Sequence, residues 1–168
     1  IHTTNQNLAG LQTRDNAKTF IYALIYGAGD AKIGKIINSN KVAGERLKNR
    51  FLKNLPALEI LTNRVRQAAQ RGFLKGLDGR KIFVRNGYAA LNTLLQGGGA
   101  IVMKKAMCLL HQKIKTQKLE AQFVANIHDE WQIQVKEDIA ELVGEMGVES
   151  IEEAGQYYKM RCPLTGEY

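Results

Sequence analysis

Residues 13 to 27, Thr-Arg-Asp-Asn-Ala-Lys-Thr-Phe-Ile-Tyr-Ala-Leu-Ile-Tyr-Gly, leave the backbone little choice of structure. Thr13 suits a helix N-cap, because its hydroxyl can accept an otherwise unpaired first-turn amide, and Asp15 complements the positive end of the helix dipole. Ala17, Phe20, Ile21 and Leu24 recur at helical intervals and give one side of the run something to bury. Gly27 and Gly29 end the helix or let another backbone approach closely. On the same helix Arg14, Lys18, Tyr22 and Tyr26 follow at four-residue steps, so they share one slowly drifting face. Two cations suit a polyphosphate and two phenol rings suit a base, which together describe a nucleotide grip. The same spacing also describes a solvated face with tyrosines at the edge of a core. The helix alone does not decide between them.

The rest of the chain reads as more helices and two hairpins. Ile1 to Gln12 is polar and without period, and is expected to be irregular. A second helix starts near Asp30 and carries Ile33, Ile36 and Ile37. After Asn38-Ser39-Asn40, the run from Gly44 to Leu55 is helical with Leu47, Phe51 and Leu55 on one side. Pro56 opens a helix to about Arg71. Gly76-Leu77-Asp78-Gly79-Arg80 is a turn signal, and Lys81 to Arg85 beyond it is strand-like. Ala89 to Lys118 is helical, with an interruption expected at Gly97-Gly98-Gly99, where the glycines allow another helix or a nucleic-acid backbone to come close. Phe123–Ile127 and Trp131–Val135 alternate as two strands, with His128, Asp129 and Glu130 at the tip between them. Asp138 to Tyr157 closes the chain as an amphipathic helix with Ile139, Leu142, Val143, Met146 and Ile151 inward. The fold class is α+β and mainly helical.

Charge divides the chain. Residues 1–118 hold 21 Lys and Arg against 5 Asp and Glu, whereas residues 119–168 hold 3 against 11. A basic body favours a polyanionic partner by its field and by counterion release, although a ribosomal or membrane-surface protein would share it. The acidic end suits cations or a solvated helix. No stretch is long and apolar enough to span a membrane, so no membrane role is expected. Cys108 and Cys162 form no metal-binding pair, which points to a reducing cytoplasm, with Cys108 expected as a small core residue. His111 reads as structural.

Asp129 and Glu130 on a hairpin tip are placed to hold divalent cations, which phosphoryl transfer needs to neutralise its attacking and leaving oxygens. Acidic pairs in turns are common, so the context matters. Arg14, Lys18, Tyr26 and Gly27 match the Arg-x3-Lys-x7-Tyr-Gly motif B of family A DNA polymerases, the DNA polymerase I family. Ile127-His128-Asp129-Glu130 matches that family's motif C, and Asn92-Thr93-Leu94-Leu95-Gln96-Gly97 its Asn-x3-Gln-Gly element. All three occur in the family's order. The wording around them resembles the replicative polymerases of short-tailed bacteriophages, and the resemblance covers nearly the whole chain.

The resemblance implies an architecture and a set of roles. Residues 1–86 would be the helical fingers, and residues 87–168 a partial palm whose antiparallel hairpin bears motif C. Arg14 and Lys18 would grip the triphosphate of an incoming dNTP with help from His2, and Tyr22 would stack near its sugar and base. Tyr22 stands where many members carry Phe, and it would admit dideoxynucleotides readily. Tyr26 and Gly27 would lie against the templating base, Arg85 on a DNA phosphate, and Asn92 and Gln96 in the minor groove of primer-template DNA. His128 would touch the primer terminus, Asp129 would ligate catalytic Mg2+, and Glu130 would be an accessory carboxylate. The family's second metal-binding Asp, in motif A, is not in this sequence. The chain therefore resembles a fragment that is inactive alone and partnered by an upstream segment carrying motif A and the thumb, with a processivity factor as a further partner. For a phage protein the setting would be the cytoplasm of the bacterial host. The alternative is a non-catalytic DNA-binding or assembly half of a split polymerase.

Overall fold

A computed structural model describes residues 1–168, which separate into two compact units. The first comprises Ile1–Lys75 with Lys81–Leu95, and the second Gly76–Arg80 with Gln96–Tyr168. No helix is long and apolar enough to cross a membrane.

The first unit contains five helices: α1 (His2–Ala9), α2 (Arg14–Ile25), α3 (Asp30–Ile36), α4 (Lys41–Asn54) and α5 (Pro56–Ala69). The opening segment is thus a helix and not the irregular stretch its polarity suggests. Tertiary packing overrides weak propensity here, because Ala9 is buried and Leu8 and Leu11 pack on a core of Phe20, Ile33, Leu47 and Phe51. Phe20 and Phe51 meet edge to face with ring centroids 5.1 Å apart. Thr13 caps α2 as its chemistry requires, its hydroxyl accepting the Asn16 amide at 3.1 Å. Asn40 caps α4 in the same way at 3.0 Å.

Antiparallel strands β1 (Phe73–Lys75) and β2 (Lys81–Phe83) follow, with Leu74 opposite Ile82. They close a second small core of Val65, Leu74, Ala90 and Leu91. A short 3-10 turn, Gly87–Ala89, then leads into α6 (Ala90–Thr116). This helix runs unbroken through Gly97-Gly98-Gly99, so the expected interruption does not occur. No protein atom comes within 4 Å of where a side chain at Gly98 or Gly99 would begin, which leaves that part of the helix open rather than packed.

In the second unit, strands β3 (Ala121–Ile127) and β4 (Glu130–Val135) pair antiparallel, from Ala121 opposite Val135 to Ile127 opposite Glu130. Alternation turns Phe123, Trp131, Ile133 and Val135 toward Leu110 and Ile114 of α6 and toward Val143 and Met146 of α7 (Ala140–Tyr157). A bulge between Phe123 and Ala125 shifts the register, and Val124 between them is exposed. Lys113 joins α6 to α7 through Glu149 at 3.0 Å and Glu153 at 2.9 Å. Two expectations fail in this unit. Leu142 faces solvent, one position off the buried Val143–Met146 stripe, and Cys108 is exposed on α6. Apolar neighbours in sequence cannot indicate which side of a long helix meets the core.

Candidate nucleotide face and carboxylate hairpin

The side of α2 opposite its buried residues presents the predicted grip. Ala17 and Phe20 are fully buried, which fixes the rotation of the helix and turns Arg14, Lys18, Tyr22 and Tyr26 outward. Tyr22 is 50% exposed and Tyr26 58%, so about half of each ring is open to solvent and accessible to a ligand.

Helix α1 adds what the α2 periodicity does not contain. It carries His2 to Tyr22, with ring centroids 6.2 Å apart and planes inclined at 51°. His2 Nδ1 is buried with no partner in the protein, a polar atom that a ligand or water can satisfy. Partial burial, and then the Arg14 and Lys18 charges, hold the His2 imidazole below its ordinary pKa of 6.5. Two cations and a histidine poised beside them form one positive surface drawn from two helices.

The end of α2 is fixed by Gly27, whose φ of 75° is open to glycine and costly for other residues. Its amide donates to the Leu24 carbonyl at 3.0 Å, and the Ala28 amide donates to that of Ala23 at 2.8 Å. A side chain at Gly27 would also strike the Tyr88 carbonyl. The backbone before α6 therefore lies directly on the end of α2, the close approach that Gly27 allows, although no local pattern names the segment that makes it. Tyr88, exposed in that turn, went unnoticed in the sequence for the same reason.

Asn92 is in the first turns of α6, and its side-chain oxygen is buried without a partner. Gln96 follows one turn later and is exposed. Arg85 is exposed just after β2 and pairs with no carboxylate.

In the second unit, His128 and Asp129 form a two-residue turn, and Glu130 is the first residue of β4 rather than part of the tip. All three are exposed. His128 has φ of 55°, in the left-handed region that non-glycine residues enter at a cost and that recurs at ligand sites. The turn aims Asp129 into solvent, and Glu130 accepts only a long 3.4 Å bond from Gln132 Nε2. No group of three or more His, Cys, Asp or Glu side chains is arranged to hold a metal ion. Two adjacent carboxylates fit a divalent cation that takes its remaining ligands from substrate phosphates, water or another segment. The structure thus brings His2, Arg14, Lys18 and Tyr22 together in one unit, and His128, Asp129 and Glu130 together in the other.

Comparison with known proteins covers almost the full length. The model of the family described as DNA polymerase family A matches residues 2–168. The DNA-directed DNA polymerase of Escherichia phage Phieco32 is 44% identical over 174 residues, covering 99% of this chain and 28% of that protein. The DNA-directed DNA polymerase of Escherichia phage T7 is 40% identical over 189 residues, covering 99% of this chain and 27% of its own length. Among solved structures, the POL domain of Pol1 from M. smegmatis, in complex with DNA primer-template and dNTP, superposes with a TM-score of 0.82. At 21% identity, over 91% of this chain and 31% of that one, it shows the shared fold.

Proposed function

The chain belongs to DNA polymerase family A, and from that premise we infer that it supplies the nucleotide-binding fingers and part of the palm of a template-directed DNA polymerase. The observation that carries this reading is the composite surface of His2, Arg14, Lys18 and Tyr22, where cations and rings from two helices face solvent together. In this assignment residues 1–86 are the fingers and residues 87–168 the partial palm.

The reaction joins a primer 3′-hydroxyl to the α-phosphate of a dNTP and releases pyrophosphate. Arg14 and Lys18 bind the triphosphate tail and neutralise the charge that grows on the leaving pyrophosphate. His2 donates a hydrogen bond to the same tail, and Tyr22 packs against the sugar and base. Holding the nucleotide at both ends restricts it to an in-line approach, which removes much of the entropic barrier. Tyr26 and Gly27 abut the templating base, and Arg85 takes a DNA phosphate. Asn92 and Gln96 reach minor-groove acceptors, whose pattern hardly varies among correct pairs and so serves an enzyme that copies any sequence. His128 lies at the primer terminus. Asp129 is the metal ligand, with Glu130 accessory to it. Bound Mg2+ supplies charge neutralisation at the attacking and leaving oxygens.

Two carboxylates are too few to hold a pair of such ions, so the chain by itself is catalytically incomplete, and a segment bearing a further Asp completes it. Primer extension with Mg2+ tests the reading. The chain alone is expected to give no product, and addition of the segment that precedes it in its relatives restores synthesis. Robust synthesis by the chain alone overturns the incompleteness, and no synthesis by the combination overturns the polymerase assignment.

A further inference from the structure

The far side of α2 borders a cleft whose cations the nucleotide face does not use. Its walls come from the end of α1, the start of α2, the turn after α3 and one side of α4, and it encloses about 500 Å3. Asn16 of α2 lines it. Asn16 stands two residues from Arg14, about 200° around the helix axis, so the cleft and the Arg14–Lys18–Tyr22 face look away from each other.

Arg46 and Arg50 are the charged residues of this lining, which contains no carboxylate. Both are exposed, and neither forms an ion pair. Lys48, between them on the same helix, pairs instead with Asp30. Like charges one helical turn apart repel each other, and an anion between them relieves that repulsion. The Arg50 guanidinium lies against the end of α1. Gly10 ends α1 with φ of 65°, and a side chain there would occupy the volume of the Arg50 guanidinium.

Arg50 donates no hydrogen bond to the end of α1. The carbonyls of Gln6, Asn7 and Leu8 at the end of α1 already accept from the Leu11 amide, the Gly10 amide and Asn54 Nδ2, at 3.0, 3.2 and 2.8 Å. Around the arginines the wall offers the side chains of Gln12, Asn16, Asn38 and Ser39, which can donate to phosphate oxygens. Guanidinium forks match phosphate in a bidentate geometry that other cations do not reproduce.

We propose that this cleft is a phosphate subsite for single-stranded DNA, with Arg46 and Arg50 gripping a backbone phosphate. The cleft itself carries the phosphate chemistry, while the choice of a DNA strand rests on the polymerase reading. Phosphate contacts without base contacts suit a strand of any sequence.

The test uses the 168-residue chain and a labelled twelve-nucleotide thymidine oligomer, followed by fluorescence anisotropy across a salt series. The Arg46→Gln/Arg50→Gln variant is expected to lose about 5–10-fold in affinity at low salt. Its salt slope should flatten by about 0.7–1.4, the release from one or two phosphates. Lys32→Gln/Lys35→Gln, which removes the same charge from the exposed side of α3, should cost no more than about 2-fold. Equal losses in the two variants, or none in the first, overturn the subsite. Thermal melts verify that each variant folds. Arg46→Lys/Arg50→Lys keeps the charge and is expected to lose about 2–4-fold, and full retention of affinity overturns the bidentate grip. Calorimetry with pyrophosphate separates the sources. Arginine-dependent pyrophosphate binding with arginine-independent oligomer binding overturns the strand and assigns a small free phosphate. Failure of the primer-extension experiment with arginine-dependent oligomer binding intact removes the polymerase reading and leaves the subsite standing.

Discussion

Arg14, Lys18 and Tyr22 stand on a helix whose opposite side is buried, whereas His128, Asp129 and Glu130 stand at a hairpin end with no buried side chain among them. The helix face is held by its own cap, by the Phe20–Phe51 contact and by the glycine that ends it. The hairpin end is held by a two-residue turn, and the Phe123, Trp131 and Ile133 side chains anchor the strands farther back. A helix face therefore depends on its core for both position and stability, while a turn can lose its side chains with little cost to the fold. The two surfaces separate stability from chemistry to different degrees.

The strongest expected break in that comparison is Asp129→Asn. When the chain is combined with the segment that precedes it in its relatives, extension should disappear while primer-template affinity and the urea midpoint stay close to the parent. Retained synthesis would remove the metal role. Phe20→Ala should do the converse, costing about 3–5 kcal/mol in a urea melt and weakening dNTP binding with it. Unchanged nucleotide affinity in a destabilised protein would show that the face does not depend on its core. Gly27→Ala comes next, at about 1–3 kcal/mol for a side chain forced into the left-handed region, with the Tyr88 carbonyl in its way. An Ala variant as stable as the parent would mean that the end of α2 can move.

The smallest effect concerns His2. Its pKa is depressed in the fold, so its contribution to stability is complete above the unfolded value of 6.5 and is lost as pH falls through the lower folded value. NMR titration should place the His2 midpoint below 6.5, and tripolyphosphate should raise it by neutralising Arg14 and Lys18. A midpoint that does not respond would separate His2 from the two cations.

Much of this molecule was legible locally. The Thr13 cap, the burial of Ala17 and Phe20, the outward Tyr22 and Tyr26, and the β3–β4 pairing all follow from patterns within a few residues. The errors share a cause. Helix α1 is made by packing Ala9 and Leu8 on a core assembled from α2, α3 and α4, and its own sequence has little period. Helix α6 continues through three glycines, with Ala90 and Leu91 buried before them and Ile101 and Val102 after, so poor propensity is not decisive. Cys108 looked apolar by its neighbours and faces water, since the side of a 27-residue helix that meets the core is set by its partners.

The candidate sites divide in the same way. Which residue types recur on α2, and which carboxylates sit at the hairpin end, was determined by sequence, because helical and strand periods are properties of the backbone alone. That His2 stands beside Tyr22, that Tyr88 lies on Gly27, and that Arg46 and Arg50 share a cleft with Asn16 was decided only by tertiary structure. Those pairings join segments far apart in the chain, and only the burial of a common core brings such segments together.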